Sequence, residues 1–512
     1  MGLLFLCDVY HHSAAMLIKM GKVIHRFGTC YSYIHLSIVL IRSLLILSLT
    51  CNSLAAAELP DLGEVSRQYF SDLDEQVLSR TIMRDVYADP LYLDDPEIEA
   101  YLEQLGYRLV SVSSRNQRDF NFFVIQNSTI NAFALPGGNI GVHTGLLLAA
   151  QNESELASVL GHEIAHVTQD HIARMVASQS QSYWPTLAAL GIALLASRSN
   201  ANIANAAITS TQALSIQNQL NYTRDYEREA DRIGYEMLSK AGFDPRGMPS
   251  FFIKLQRTNR LYDTSAPAYL RTHPLTSERI ADMDARAESA PYRQIADSLD
   301  FQLVRARIRS REGTPQEAVK TFQAQVQDKR YSQAASAHYG LALAYLRARN
   351  YASAESEVQK LGTQLKARSP LIASLAGRVA LESGRFDNAL DRYRVGMTAY
   401  PGYKPLLYGY ADSLLNASRA RESASFLASQ LSTWPRDARF WRLSGEAHTR
   451  LGEHLQSHRA VAESFALSGN LKAAIEQINL AIKADDGGFY ELSAAEARRR
   501  EWQDLDKSQR KP

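Results

Sequence analysis

The pattern of apolar and polar residues predicts a mixed region followed by a purely helical one. Residues 58–120 place apolar side chains at helical spacing between acid-rich turns, which is typical of short amphipathic helices. Three β-rich segments follow, at Phe122–Ile125, Asn131–Leu135 and Ile140–His143. Turn residues separate them, and Pro136-Gly137-Gly138 precedes the last segment, so we expect an antiparallel meander.

Two further helices are predicted after these strands. Asn152 and Glu155 form a capping-box pattern, and the apolar residues that follow have helical spacing: Leu156, Val159, Leu160, Ile164 and Val167. The second helix runs from about Asp225 to about Gly242. Between the two helices, the segment 172–222 contains the apolar run Leu187–Ala196, which is too short to cross a bilayer. We expect this segment to be a mobile or partly buried helical insert near the functional site.

From about residue 300, small residues recur at a fixed spacing. Gly377, Ala411 and Gly445 are separated by 34 residues each, and so are Pro401 and Pro435. A period of this length, with small residues where two helices touch, is typical of tetratricopeptide repeats. Such repeats stack into a curved solenoid whose concave face binds peptides or proteins.

The N-terminal segment predicts export. Arg42 precedes the apolar run Leu44–Leu49, and Ala55-Ala56-Ala57 supplies a cleavage site, so we interpret residues 1–57 as a signal peptide. All three cysteines of the chain lie within this segment. The exported chain would hold no disulfide and no thiolate ligand, and any metal site in it must use histidines and carboxylates.

Composition and charge narrow the class of protein. The chain has 512 residues, of which 46% are hydrophobic and 21% charged, as in soluble globular proteins. Its net charge is +2, and residues 1–57 contribute four basic side chains and one acid. The remaining 52 basic and 53 acidic residues leave a net charge of −1. This balance gives no reason to expect nucleic-acid binding, and we predict no transmembrane span in the exported chain.

The motif His162-Glu163-Ile164-Ala165-His166 carries the candidate chemistry. On a helix the two histidines share a face one turn apart, so both can bind one zinc ion. Glu163 lies beside that face and can take a proton from a zinc-bound water and later give it to the leaving amine. The alternative is a solvated polar helix face. Apolar residues on the same helix argue against it, because they place the helix in a core.

The third ligand is expected on the second predicted helix. Glu227 and Asp231 share a face with Ala230 and Gly234, small residues that allow close helix approach. We assign Glu227 as the ligand and Asp231 as the group that orients a ligand histidine. We expect Glu229 to be solvated. His171 lacks the spacing of the long metzincin pattern, so we expect it to cap the helix or face solvent.

These residues resemble the HtpX/CAAX-protease-like zinc metallopeptidases. The resemblance rests on the HEIAH motif, the Glu227-x-x-Ala230-Asp231 pattern, the segment "NAFALPGG" and the segment "THPLTSERI". It implies that His273 occupies the fourth zinc position in a latent state and that Arg279 lies near the site. It also implies a strand that pairs with extended substrate, formed by Asn131, Ala132, Phe133 and Ala134.

The expected architecture is an α+β zincin-type metallopeptidase domain, with helices and a small antiparallel sheet, followed by an all-α tetratricopeptide solenoid. The predicted divisions are a signal peptide (1–57), the peptidase domain (58–298), the repeat domain (299–486) and a charged C-terminal helix or tail (487–512).

The export signal, the absence of transmembrane helices and the repeats match the periplasmic members of the family. The resemblance therefore implies a periplasmic endopeptidase with one zinc ion per chain, which acts by zinc-hydroxide attack. Its expected partners are unfolded or misassembled outer-membrane β-barrel proteins and the barrel-insertion complex, and it would have a chaperone-like role in their assembly and quality control. The alternative is a repeat-based adaptor or chaperone of that machinery whose protease domain is latent or inactive.

Overall fold

The computed structural model describes residues 71–113, 119–178, 224–261, 268–291, 295–331 and 333–509. The predicted signal peptide and most of the predicted insert at 172–222 lie outside the described residues. None of the helices in the described ranges combines the length and the apolar character needed to cross a bilayer.

The first part of the described chain is mainly helical, with one small sheet. Its elements, in chain order, are α1 (Asp72–Ala88), α2 (Pro96–Val110), β1 (Asn121–Ile125), β2 (Ala132–Leu135), β3 (Asn139–His143), α3 (Thr144–Ala149), α4 (Glu153–Thr168), α5 (His171–Ser178), α6 (Arg224–Lys240), α7 (Gly247–Leu261), α8 (Ala268–Thr272) and α9 (Ser277–Ser289). The predicted fold class, a helical domain with a small sheet before an all-α array, is confirmed.

The sheet is mixed, so the expected antiparallel meander is wrong. Its strand order is β1-β3-β2, with β1 parallel and β2 antiparallel to β3. After β1, the backbone of Asn127 accepts hydrogen bonds from the amide of Gly145 at 2.8 Å and from the hydroxyl of Thr144 at 3.0 Å. These bonds hold the end of β1 beside the end of β3, which forces the two strands to run the same way. Within the described sheet, β2 therefore lies at an edge.

Helix α4 is the centre of this domain. The side chain of Asn152 accepts a hydrogen bond from the Glu155 amide at 2.9 Å, as the capping pattern predicted. The Glu155 carboxylate bonds to Gln151 and Lys254 instead of closing the box. Every residue of α4 is buried, so the interpretation of its polar residues as a solvated face is wrong. The helix packs against α2, α6, α7 and β2.

The second part of the described chain is an array of paired helices. They are α10 (Leu299–Arg309), α11 (Pro315–Gln327), α12 (Ala334–Arg347), α13 (Tyr351–Thr363), α14 (Pro370–Glu382), α15 (Phe386–Ala399), α16 (Lys404–Asn416), α17 (Ala420–Thr433), α18 (Ala438–Leu451), α19 (His454–Leu467), α20 (Leu471–Lys483) and α21 (Phe489–Gln509). The small residues of the predicted repeat are buried between neighbouring helices, as at Gly377, Ala411 and Gly445. Helix α21 packs on α20 through the buried Ala495 and Trp502.

A buried ion cluster joins the array to the first part. Arg307 on α10 donates to both oxygens of Asp95 at 2.8 Å and to Glu97 at 2.8 Å. Asp95 also caps α2, and Glu97 accepts a further hydrogen bond from Ser374 on α14. Burial opposes ionisation of Asp95, but the charge of Arg307 and its hydrogen bonds hold the pKa of this carboxyl below its usual range. At neutral pH Asp95 is therefore ionised, and the charge of Arg307 balances it.

Replacing Arg307 with methionine should destabilise the protein strongly. The substitution leaves two carboxylates buried without their cation, at a cost of about 3–5 kcal/mol. Guanidinium unfolding at neutral pH measures the loss. Arg394→Met is the control, since Arg394 forms an exposed pair within α15 and should matter by less than about 1 kcal/mol. Equal guanidinium unfolding midpoints for Arg307→Met and Arg394→Met would contradict the stabilising role of the buried ion cluster. Because the pKa of Asp95 is lowered, its contribution is present above the ordinary carboxyl pKa and is lost as the pH falls below it.

Candidate metal centre

Two histidines on one face of α4 form the base of a buried cluster. The Nε2 atoms of His162 and His166 lie 3.0 Å apart. Glu227 on α6 faces them, with a carboxylate oxygen 3.5 Å from each Nε2 atom. His273, directly after α8, places its Nδ1 atom 3.3 Å from His162 and 2.9 Å from Glu227. All four residues are buried, and each offers one donor atom within 4.8 Å of the others.

The helices that carry these groups approach each other closely. A Cβ atom on Gly234 of α6 would lie 2.9 Å from the His162 amide nitrogen and 3.0 Å from the Gly161 carbonyl carbon. Ala230, one turn before Gly234, is fully buried on the same helix face. This contact agrees with the predicted role of the small residues in close helix packing. The short distance between the helices brings Glu227 within reach of the two histidines of α4.

The donor set fits a small divalent cation. A tetrahedral ion with ligand bonds of about 2.0–2.1 Å sets its donors about 3.4 Å apart, close to the spacings observed here. Imidazole nitrogens and a carboxylate oxygen are ligands that zinc accepts. Glu163 adds a second indication, because it is completely buried and neither of its carboxylate oxygens accepts a hydrogen bond from the described residues. Such a group is costly to bury unless a further polar group, such as water on a metal, completes the site.

Burial and neighbouring charges set the protonation of the two helix histidines in opposite directions. Burial alone lowers the pKa of His162, but hydrogen bonds with Asp231 and Glu227 and the charges of these carboxylates raise it to about 10. Burial lowers the pKa of His166 to about 3, and the charges of His162 and His273 act the same way. A cation that binds here must therefore displace a proton from His162, while His166 is already neutral.

Arg279 ties the carboxylates of the site together. Its guanidinium donates to both oxygens of Asp231 at 2.6 and 2.8 Å, and it lies 2.7 Å from Glu227. Asp231 in turn lies 3.0 Å from Nδ1 of His162, the ring nitrogen that faces away from the cluster. Burial opposes ionisation of Glu227, but the charges of the neighbouring histidine and of Arg279 hold its pKa well below the usual range. Arg279 also donates to the Pro274 carbonyl at 2.7 Å, which fixes the segment after α8.

His273 is held above the base of the cluster. Its ring stacks on Tyr269 with centroids 4.6 Å apart and an angle of 26° between the planes. Its Nε2 atom lies 3.5 Å from Glu163. Tyr269 is itself buried, and its hydroxyl has no hydrogen-bond partner among the described residues. Tyr269 was not predicted from the sequence, since a tyrosine on a short helix belongs to no motif of its own.

The predicted substrate strand lies along α4. Ala132, Phe133 and Ala134 belong to β2, and Asn131 precedes it. Helix α4 packs against β2, so the strand and the cluster border the same helix. The side-chain oxygen of Asn131 is buried and has no hydrogen-bond partner among the described residues.

Two residues that the sequence analysis set aside lie beside the cluster. His171 is completely buried at the start of α5, with Nδ1 2.8 Å from Nδ1 of His166, so the expectation that it caps the helix or faces solvent is wrong. Glu229 is only partly exposed and pairs with His171 and Arg174, so the expectation that it is solvated is wrong too. The turn at Gln169–Asp170 ends α4 and folds α5 back onto it, and no spacing rule for one continuous helix could place these side chains.

Comparison with known proteins agrees with this arrangement. Residues 96–287 match the model of peptidase family M48, and residues 303–370 match a tetratricopeptide repeat model. The beta-barrel assembly-enhancing protease of Escherichia coli (strain K12) is 33% identical over 83% of this chain and 87% of its own. A Vibrio cholerae protein with the same name in provisional form is 36% identical over 82% of this chain and 87% of its own.

The chain belongs to peptidase family M48. It is a metalloendopeptidase, as the match to the family and its relatives indicate. The mitochondrial metalloendopeptidase OMA1 of Arabidopsis thaliana is a more distant relative, 29% identical over 36% of each chain. The residues that match the M48 model include every member of the buried cluster. The two bacterial relatives align over more than four-fifths of the chain, so the similarity extends beyond the peptidase part into the array.

Adding one methyl group at Gly234 should weaken both folding and metal binding. The new Cβ atom of Gly234→Ala meets backbone atoms of α4, which cannot move aside, so the helices must separate at a cost of about 1–3 kcal/mol. Thermal unfolding and a metal titration measure the two effects. Gly362→Ala is the matched control, because a Cβ there meets nothing within 4 Å and should stabilise α13 by up to about 1 kcal/mol. If Gly234→Ala and Gly362→Ala shifted the unfolding temperature in the same direction, the result would contradict the packing argument.

Proposed function

We propose that this chain is an exported, zinc-dependent endopeptidase that acts in the assembly and quality control of outer-membrane β-barrel proteins. The observation that carries the proposal is the buried set of His162, His166 and Glu227 beside the carboxylate of Glu163, which accepts no hydrogen bond from the described residues. Three donors from the protein and one exchangeable position are the usual composition of a catalytic zinc site. The predicted export signal and the names of the bacterial relatives support a periplasmic location.

Each residue of the site has a distinct role in peptide hydrolysis. Zinc, when bound by His162, His166 and Glu227, supplies a Lewis acid for the water and for the scissile carbonyl. Glu163 accepts the proton of the attacking water and delivers it to the leaving amine. Asp231 lies 3.0 Å from Nδ1 of His162 and would hold the proton on that nitrogen, which leaves Nε2 to bind the metal. Arg279 positions Asp231, and no covalent link to substrate is required.

The position of His273 supports a latent resting state. Its Nδ1 atom completes the donor set, in the place that a water molecule needs during catalysis. The stack on Tyr269 and the bond from Arg279 to Pro274 hold it there. Activation then requires the segment between α8 and α9 to move away from the cluster.

The edge position of β2 suits an extended substrate. An extended peptide can add to a sheet beside an edge strand, so Asn131, Ala132, Phe133 and Ala134 would align the substrate along α4. The amide oxygen of Asn131, which has no hydrogen-bond partner among the described residues, can accept a hydrogen bond from the peptide backbone. This mode selects unfolded chains, because a folded β-barrel has no free strand to offer.

The helical array supplies a second surface for clients or partners. Part of it faces α1 and α2 across a cleft of about 590 Å³, with lining residues that include Tyr92, Glu99, Tyr408, Arg439 and Phe465. Aromatic and arginine side chains are enriched at protein-binding surfaces. Misassembled barrel proteins and the barrel-insertion complex are the partners that we propose, in keeping with the name of the relatives.

Glu163→Gln should abolish cleavage and retain zinc. The amide cannot take a proton, and loss of a general base slows such a reaction by about 10²–10⁴-fold. The measurement incubates the zinc-loaded chain from Glu58 onward with an unfolded outer-membrane barrel protein and compares the fragments, with zinc content read separately. Glu236→Gln, an exposed change on α6, is the control and should cut normally. Cleavage by Glu163→Gln at the wild-type rate would refute Glu163 as the base.

His273→Ala distinguishes a latent protease from an adaptor. If His273 holds most molecules closed, its removal should raise the cleavage rate about tenfold or more, because the open state of a gated protein is a minor population. The same fragment assay measures this, with zinc content as the check on site integrity. No cleavage by either wild type or His273→Ala, with one zinc per chain in both, would favour the adaptor function for the helical array.

A further inference from the structure

A fourth histidine lies directly behind one of the three histidines of the cluster. His171 opens α5 and is completely buried. Its Nδ1 atom lies 2.8 Å from Nδ1 of His166, the ring nitrogen opposite to the one that faces the cluster. The two rings meet at 75° with centroids 4.9 Å apart, which is the geometry of a hydrogen bond between ring nitrogens and not of a stack.

The other side of the His171 ring is fixed by charged and aromatic neighbours. Its Nε2 atom lies 3.2 Å from a carboxylate oxygen of Glu229, and Arg174 donates to the same oxygen at 2.9 Å. The ring stacks on Tyr226 with centroids 4.7 Å apart and an angle of 18°. Arg174 also lies over the Tyr226 ring, 4.7 Å from its centroid. The imidazole can therefore neither rotate nor exchange its partners without breaking several contacts.

These contacts determine which nitrogen carries each proton. An ionised carboxylate only accepts hydrogen bonds, so Nε2 of His171 must be the donor toward Glu229. With its proton on Nε2, the imidazole of His171 presents Nδ1 to His166 as a hydrogen-bond acceptor. A single proton can lie between the two Nδ1 atoms, and it must then belong to His166. The Nε2 atom of His166 is left with its lone pair directed into the cluster.

We propose that His171 and Glu229 act as positioning residues that fix His166 in the tautomer able to bind the metal. The inference rests on the proposed zinc site and adds to it a line of hydrogen bonds from α6 through α5 to α4. Metal-bound histidines commonly donate their second nitrogen to a carboxylate, a backbone carbonyl or water, and loss of such a partner weakens metal binding by about 10–100-fold. Here the imidazole of His171 takes the place of that partner. His171 touches neither substrate nor metal.

Two substitutions at the same position separate the acceptor from the volume of the ring. His171→Leu fills the space but offers no acceptor, and it should weaken zinc binding by about 10–100-fold. His171→Gln offers an amide oxygen to His166 and should recover most of that loss. Zinc affinity is measured by competition with a chelator in the full exported chain, with Glu236→Gln as the exposed control. Wild-type affinity in His171→Leu, or equal losses in the leucine and glutamine variants, would overturn the proposal.

A spectroscopic measurement tests the proton positions without relying on either variant. In ¹⁵N-histidine-labelled, zinc-loaded wild-type protein, His171 should show a protonated Nε2 and an unprotonated Nδ1, and His166 a protonated Nδ1. A protonated Nδ1 on His171 would overturn the assignment. If wild-type protein binds no zinc, the proposed zinc site fails, and the direction of the hydrogen bond between the two rings is still read from the spectrum of the metal-free protein.

Discussion

The close contact between α4 and α6 is the constraint on which the functional site depends. The histidines of one helix and the carboxylate of the other can share an ion only if the two backbones nearly touch. Gly161 and Gly234 face each other at this point, and a Cβ atom on either would lie within 3.2 Å of backbone atoms of the other helix. The wider apolar core around α4 then holds both helices in register, because dense packing leaves them no room to slide.

The same burial that fixes the site creates an electrostatic cost. Glu163, Glu227 and Asp231 all lie in the interior, where an isolated carboxylate is strongly disfavoured. Arg279 offsets two of these charges, through hydrogen bonds to Asp231 and an ion pair with Glu227 at 2.7 Å, and a bound cation would offset more. Glu163 accepts no hydrogen bond from the described residues and has only the more distant contact with His273 at 3.5 Å, as expected of a group that can accept a proton. Two of the carboxylates are thus stabilised by Arg279, and the third remains available for chemistry.

The sequence predicted those features that depend on periodicity within one element. The i, i+4 spacing of His162 and His166, the small residues on the face of Glu227 and the repeat of the helical array all follow from the geometry of a single helix. Features set by contacts between distant segments were not predicted. The parallel pairing of β1 with β3 depends on bonds from Asn127 to residues after β3, and the place of His171 depends on a turn between two helices.

The order of the strands also links the helical array to β2, the strand proposed to bind substrate. Helix α1 packs on the sheet, where Glu75 accepts from the Gly137 amide at 2.8 Å in the turn between β2 and β3. The opposite end of the array touches the same helix, since a Cβ atom on Gly469 would lie 2.8 Å from the Arg80 carbonyl oxygen. In a meander β2 would be central, and a displacement of α1 would meet a strand paired on both sides. In the described sheet β2 pairs with one strand, β3, so such a displacement acts on an edge strand. The contact between array and peptidase and the position of this strand therefore depend on the same helix.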